Sequence, residues 1–210
     1  MRSALDEDFK RSHPRQSPWM TKLLWATVDA GFRAVALYRW GRWCRLHGLS
    51  LLASFLERVM HHASHCWIST LADIGPGLFI PHVGCIVVPP GVIIGRNCTL
   101  RQGVTLGGNY GKRDAQGRTN PLVGDGVSVG PGAVILGPVT IGSGAIVGAN
   151  SLVTRSVPPG SVVGTRRAEI VGIVGADGAP RSDPTLPYSR CDLQMQLTDV
   201  RREIDDLRKA

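Results

Sequence analysis

His82 is the residue best placed to do chemistry. It is the last of the six histidines in the 210-residue chain. It stands in Ile80-Pro81-His82-Val83-Gly84-Cys85, a Pro- and Gly-rich break in an otherwise regular array. Irregularities in a regular array are where function usually sits. A neutral imidazole near pH 7 can take the proton of a hydroxyl, so the chemistry expected here is general-base catalysis. A second candidate is the polar run Asn109–Asn120, whose Lys112, Arg113 and Arg118 suit phosphate groups. A third is His61, His62, His65 and Cys66. On a helix His61 and His65 lie four apart on one face, as metal ligands do. No Asp, Glu or further His nearby completes a site, so the expectation is a helix end and no metal.

The elements that must position these residues follow from one period. An aliphatic side chain returns every sixth residue, as Val88, Ile94, Leu100 and Leu106, then Val123, Val129, Ile135, Ile141, Val147 and Val153. A companion series lies two residues earlier, as Ile86, Val92, Cys98 and Val104, then Pro121, Val127, Ala133, Val139, Ala145, Ser151 and Val157. Six is a multiple of two and not of 3.6, so each repeat is a short strand turning the same side inward. Gly, Asn and Asp recur between the strands and supply corners of positive φ. The period predicts a parallel β-helix, whose stacked rungs bury one aliphatic column. Ile68, Ile74 and Ile80 begin it; the register then slips by two at Pro81–Gly84. The second break, after Leu106-Gly107-Gly108, throws out the polar loop, and loops on rigid scaffolds commonly bind.

Composition narrows the function classes. The net charge of +8 suits nucleic acid, an anionic membrane surface or phosphorylated small molecules. No basic run with interleaved aromatics lies in the coil, so nucleic acid is not expected. The five cysteines are scattered without a CxxC pair, which fits a reducing, cytoplasmic setting. Residues 127–154 carry no charge, yet their Gly content and six-residue period exclude a membrane helix. The N-terminus is polar through Ser17, unlike a secretory signal.

Three segments are expected. Residues 1–66 form an N-terminal arm and helical segment, 67–172 the β-helix, and 173–210 a linker and C-terminal heptad helix. Residues 1–17 read as a mobile arm. One helix covers roughly Trp19–His47 and ends at Gly48; a second covers Leu51–His62, with Ser50 as N-cap. Arg33, Arg39, Arg42 and Arg45 interleave with Phe32, Leu37, Tyr38, Trp40 and Trp43. That pattern suits either peripheral membrane contact through residues 19–47 or packing on the coil with the arginines in solvent. Near the C-terminus Leu193, Leu197, Val200, Ile204 and Leu207 trace an a/d seam that can zip copies the coil already holds together.

The segment Ile80–Val171 resembles the hexapeptide-repeat acyltransferases, within them the serine O-acetyltransferase-like branch. The residues that carry the likeness are Ile80–Val88, Gln102–Gly108, Val123–Val127, Gly148–Val153 and Val157-Pro158-Pro159. The resemblance implies a left-handed β-helix, against the usual right-handed crossover. It also implies a homotrimer with acetyl-CoA, the acyl donor, in a cleft between neighbouring coils. His82 falls on the family's catalytic histidine, the general base. Gly107, Gly108, Pro131 and Ala149 match positions that line the CoA arm, with Lys112 and Arg113 beside them. Pro81 and Asn120 fall on acceptor-binding positions.

The departures from that branch set the expected acceptor. The serine enzymes carry Asp before the catalytic His, where this chain has Pro81. They carry a second His where it has Asn120, and an orienting Asp where it has Trp67. A pocket without those carboxylates should bind a zwitterionic amino acid poorly, whereas Asn120 can still hydrogen-bond a neutral hydroxyl. The expectation is therefore an acetyl-CoA-dependent O-acetyltransferase acting on a saccharide, of the capsule or exopolysaccharide type, with a small-molecule or glycan acceptor. Serine O-acetyltransferase of cysteine biosynthesis is the alternative, and a non-catalytic trimeric scaffold is the alternative from another class. A zinc β-helix hydratase needs several His ligands and is set aside, because the coil has one.

Overall fold

The computed structural model describes residues 2–14, 25–109 and 111–165, together with the backbone of 173–174 and 180–181. Its contacts divide the chain into two compact units, 1–165 and 166–210. In the second, Ile173–Val174 pairs antiparallel with Pro180–Arg181. Most of the expected closing segment and the whole heptad helix from Cys191 lie outside the described residues.

The first unit is built on the hexapeptide coil. Its strands, numbered along the chain, stack into three parallel sheets. The first holds β1 (Cys66–Ile68), β3 (Ile86–Val88), β6 (Thr105–Gly107), β9 (Val134–Leu136) and β12 (Leu152–Val153). The second holds β2 (Asp73–Ile74), β4 (Ile93–Ile94), β7 (Leu122–Val123) and β10 (Thr140–Ile141). The third holds β5 (Thr99–Leu100), β8 (Ser128–Val129), β11 (Ile146–Val147) and β13 (Val162–Val163). Ser128 pairs with Ile146, so a regular turn takes eighteen residues, or three hexapeptides. Cys66 pairs with Ile86 across twenty, the two extra being the slip at Pro81–Gly84. Thr105 pairs with Val134 across twenty-nine, because the polar loop is thrown out within that turn. Both six-residue series point inward, from Ile86 and Val88 through Val153 and Val157, and form one continuous buried column. Alternating burial along every two- or three-residue strand is the direct consequence of the period.

Among the described residues, the helices α1 (Arg2–Ser12), α2 (Ala30–Leu46) and α3 (Ser50–Ser64) precede and cap the coil. Asp29 caps α2, accepting from the backbone N–H groups of Gly31 and Phe32. Gly48, at φ +78°, turns the chain from α2 into α3. Ser50 is not a cap: Leu49 occupies that position and Ser50 is the first residue of α3.

Within the expected mobile arm of residues 1–17, Arg2–Ser12 is a packed helix. Asp8 of α1 is fully buried, and its carboxylate accepts from Arg39 Nε at 2.8 Å and Nη2 at 3.1 Å. It also accepts from the backbone N–H groups of Gly77 and Leu78. Arg39 donates onward to the carbonyls of Ile74 and Gly75. A buried bidentate pair with its remaining donors satisfied fixes α1 and α2 to the first turn of the coil.

The other arginines of the basic helix also turn inward. Arg42 reaches the Thr70 carbonyl and Asp73; Arg45 reaches Thr70 Oγ1 and Ser54; Arg33 reaches the carbonyls of Thr27 and Ala63. Over the described residues 25–47 the helix packs on the coil, as one of the two readings expected, and its arginines tie α2 to the coil and to α3 rather than extending free into solvent. Among the described residues no helix is long and apolar enough to cross a membrane.

Candidate active site

The coil's corners decide which candidate residues meet. The corner between the third and first sheets carries Pro81 and His82 in the first turn, Pro131 two turns further on, and Ala149 in the next. The corner between the first and second sheets carries Gly107, Gly108, Lys112, Arg113 and Asn120. A single chain therefore gathers the sequence-predicted residues into two groups on two different edges of the prism.

At the first edge the slip makes a wide, exposed bend. Gly84 takes φ +118° and Cys85 takes φ +52°, both in the left-handed half of backbone space. Two backbone bonds stitch the bend down: Cys85 N–H donates to the His65 carbonyl at 2.7 Å, and Gly103 N–H donates to the Gly84 carbonyl at 2.8 Å. Val83 packs against the core, which leaves His82 exposed between two anchored neighbours. Helix α2 abuts the same bend, where Gly31 meets the Ile80 carbonyl with no room for a Cβ. Beyond His82, Pro131 accepts from Asn150 N–H at 2.8 Å, and Ala149 is exposed at the corner. No residue of this edge in 80–85, 101–104, 130–133 or 148–151 is acidic.

At the second edge the loop folds on itself. Asp114 accepts from Arg118 Nε at 2.6 Å and from the backbone N–H groups of Gln116 and Arg118. Slight desolvation raises the Asp114 carboxyl, but these hydrogen bonds and the guanidinium outweigh it and hold the carboxyl below its usual value. Arg118, expected to face phosphate, is thus spent on Asp114. Lys112 and Arg113 are exposed, Arg113 touching only the Gly117 carbonyl at 3.3 Å among its described bonds. Asn120 Nδ2 donates to the Pro90 carbonyl at 2.8 Å, leaving Oδ1 beside Gly108. Asn120 is thus held with its acceptor oxygen turned to the glycines.

The histidine cluster disperses. His61 and His62 set their rings 5.8 Å apart at 66°, His65 caps α3 in the left-handed conformation, and Cys66 is buried. Among the described residues no group of three or more His, Cys, Asp or Glu is arranged to hold a metal.

One feature escaped the sequence reading. A cavity of about 330 Å³ is lined by Ser54, Glu57, Arg58 and His61 of α3 and by Trp67 of β1. The four α3 residues are spaced i, i+3, i+4, i+7, one face of a helix. That spacing was readable; its opposition to Trp67 was not.

The profile of the bacterial transferase hexapeptide family (six repeats) matches residues 120–155. A serine acetyltransferase of Salmonella typhimurium is 37% identical over 78% of this chain. That match spans 58% of the length of the Salmonella protein, so the chain spans little more than half of it. The serine acetyltransferase of Mycobacterium tuberculosis is 32% identical over 82% of this chain and 74% of its own length. Among solved structures, the Neisseria gonorrhoeae serine acetyltransferase in complex with serine superposes with a TM-score of 0.67. It is 32% identical and covers 80% of this chain and 68% of its own. The Brucella abortus enzyme in complex with coenzyme A gives a TM-score of 0.64 at 30% identity, over 83% of this chain and 67% of its own.

These matches agree with the left-handed β-helix expected for the coil. They overturn the saccharide O-acetyltransferase expectation, and polysaccharide synthesis with it, because the relatives that match across the helices and the coil together are serine acetyltransferases. The physical error lay in judging the acceptor from Trp67, Pro81 and Asn120 alone. A carboxylate can reach a corner from a neighbouring helix as well as from the coil. With hexapeptide turns, preceding helices and relatives in agreement over some four-fifths of its length, the chain belongs to the serine acetyltransferase family of hexapeptide-repeat transferases.

Proposed function

We propose that this protein transfers the acetyl group of acetyl-CoA to the hydroxyl of serine, with His82 as general base. The observation that carries the reading is His82 itself, exposed at the single slipped corner of a coil whose relatives are serine acetyltransferases. In the proposed reaction His82 takes the hydroxyl proton as the serine oxygen attacks the thioester carbonyl. The carbon–sulfur bond then breaks, and the sulfur leaves as the CoA thiol with that proton. Backbone N–H groups at the coil corners suit the developing oxyanion. Gly107 and Gly108 let the pantetheine arm run close to the backbone, Pro131 and Ala149 line it, and Lys112 and Arg113 meet the CoA phosphates. Asn120 Oδ1 and the Pro81 corner border the acceptor.

The likeness to hexapeptide-repeat transferases supports a homotrimer as the active form, in which the two edges would face each other between copies, working in the cytoplasm. The experiment is thiol release from acetyl-CoA with serine and with a panel of sugars, for wild type and His82→Ala. Serine-driven release lost in His82→Ala by about 100-fold or more supports the reading. Release that is indifferent to serine, or unaffected by His82→Ala, refutes it.

A further inference from the structure

The register of the coil sets one guanidinium directly beside the slipped corner. Phe79 bridges to Thr99, Thr99 pairs with Ser128, and Ser128 pairs with Ile146. Two residues further along each turn, Pro81, Arg101, Gly130 and Gly148 therefore stack in one column. Resting on the serine reading above, we propose that Arg101 receives the α-carboxylate of the acceptor and sets the preference for a substrate that carries one.

The backbone fixes Arg101 on both sides of the slip. Leu100 N–H donates to the Phe79 carbonyl at 3.0 Å, and Gly103 N–H donates to the Gly84 carbonyl at 2.8 Å. The two inserted residues, His82 and Val83, thus bulge between Pro81, which stacks on Arg101, and Gly84, which stacks on Gln102. Val83 packs against the core, so His82 is the inserted residue left outside, on the edge that Arg101 shares. Neighbouring rungs of parallel strands lie about 4.8 Å apart. The hydroxyl and carboxylate oxygens of serine are separated by roughly 3–4 Å. One small acceptor therefore spans from the His82 imidazole to a guanidinium rooted one rung away.

Nothing in the fold accounts for an arginine at this position. Its column is otherwise proline and glycine, so the corner itself needs no long side chain. Arg101 donates its backbone N–H to the Val129 carbonyl at 3.2 Å, and this bond would serve any residue but proline. Its side chain is exposed and makes no hydrogen bond or ion pair among the described residues. Arg118, two residues from Asn120, is by contrast spent on Asp114. A planar guanidinium without a partner matches a carboxylate through two parallel hydrogen bonds.

The test compares full-length wild type, Arg101→Ala and Arg101→Glu at saturating acetyl-CoA. Initial rates are measured with serine and with serinamide, which keeps the hydroxyl and the ammonium but has no carboxylate. The Arg101 side chain holds no described contact, so thermal unfolding should change little in either variant. Arg101→Ala should raise the serine KM on the order of tenfold, with kcat and the acetyl-CoA KM unchanged. Wild type should favour serine over serinamide by about tenfold; Arg101→Ala should abolish that preference and Arg101→Glu should reverse it. A serine KM and a serine–serinamide preference that survive both substitutions overturn the assignment and leave the enzymatic reading standing. So does a rise in the acetyl-CoA KM alone, which would place Arg101 on the donor. A wild-type protein that leaves serine untouched overturns both.

Discussion

At the scale of single residues, a buried tyrosine and the cysteines report directly on the packing. Tyr38 of α2 is buried and donates its hydroxyl to the Ala72 carbonyl at 2.9 Å. Desolvation pushes its phenol up to about 12, against the partial opposition of Arg39 and Arg42. A raised phenol favours the neutral form, so its contribution to stability is complete below the unfolded value of 10.0 and is lost as pH rises towards 12. Spectrophotometric titration at 295 nm should show one tyrosine ionising well after an ordinary phenol. Tyr38→Phe should remove that late step and cost roughly 1–3 kcal/mol, because the Ala72 carbonyl loses its donor. Thiol chemistry gives a second check. Cys44, Cys66 and Cys98 are buried, burial raises the Cys98 thiol, and Cys85 is exposed on the His82 bend. Of these four, Cys85 should be the first to react with a thiol reagent in the native protein. A bulky adduct there, three residues from His82, should block turnover in proportion to labelling.

At the scale of elements, the coil was legible because its period is local. Every turn repeats the same inward pair of aliphatics, so eighteen residues of sequence already state the rung, and both breaks in the period became real corners. The corner glycines follow the same logic. A Cβ at Gly124 would stand 2.7 Å from the backbone nitrogen and the hydroxyl of Ser143, one turn on. Gly124→Ala should therefore push two rungs apart and cost roughly 1–3 kcal/mol in a urea melt. What the sequence did not disclose is long-range pairing of charge. The N-terminal run Arg2–Ser12 reads as a mobile arm because the partner of Asp8 is Arg39, thirty-one residues on, and the two meet against the backbone of the coil's first turn. Asp8→Asn should leave Arg39 buried without its counter-charge and cost about 3–5 kcal/mol, whereas an isolated surface acid would cost almost nothing. The α3 cavity was hidden for the same reason: its stripe is periodic, but nothing local to the helix says that Trp67 faces it.

At the scale of the whole molecule, the division of candidate residues between two edges has a consequence that can be measured without a structure of the assembly. His82 with Pro131 and Ala149 lies on one edge, and Asn120 with Gly107, Gly108, Lys112 and Arg113 on another. In the proposed trimer each site draws one edge from each of two copies. His82→Ala and Asn120→Ala chains, inactive when each is assembled alone, should then complement each other when unfolded, mixed and refolded together. With random mixing at equal amounts, about a quarter of the sites combine an intact His82 edge with an intact Asn120 edge. Activity should recover towards that fraction of wild type and fall as either variant is made the minority. A site built within one chain predicts the opposite: every chain carries one defect, so mixing recovers nothing at any ratio. Sedimentation of the refolded mixture checks that both variants still assemble, which separates a failed site from a failed trimer.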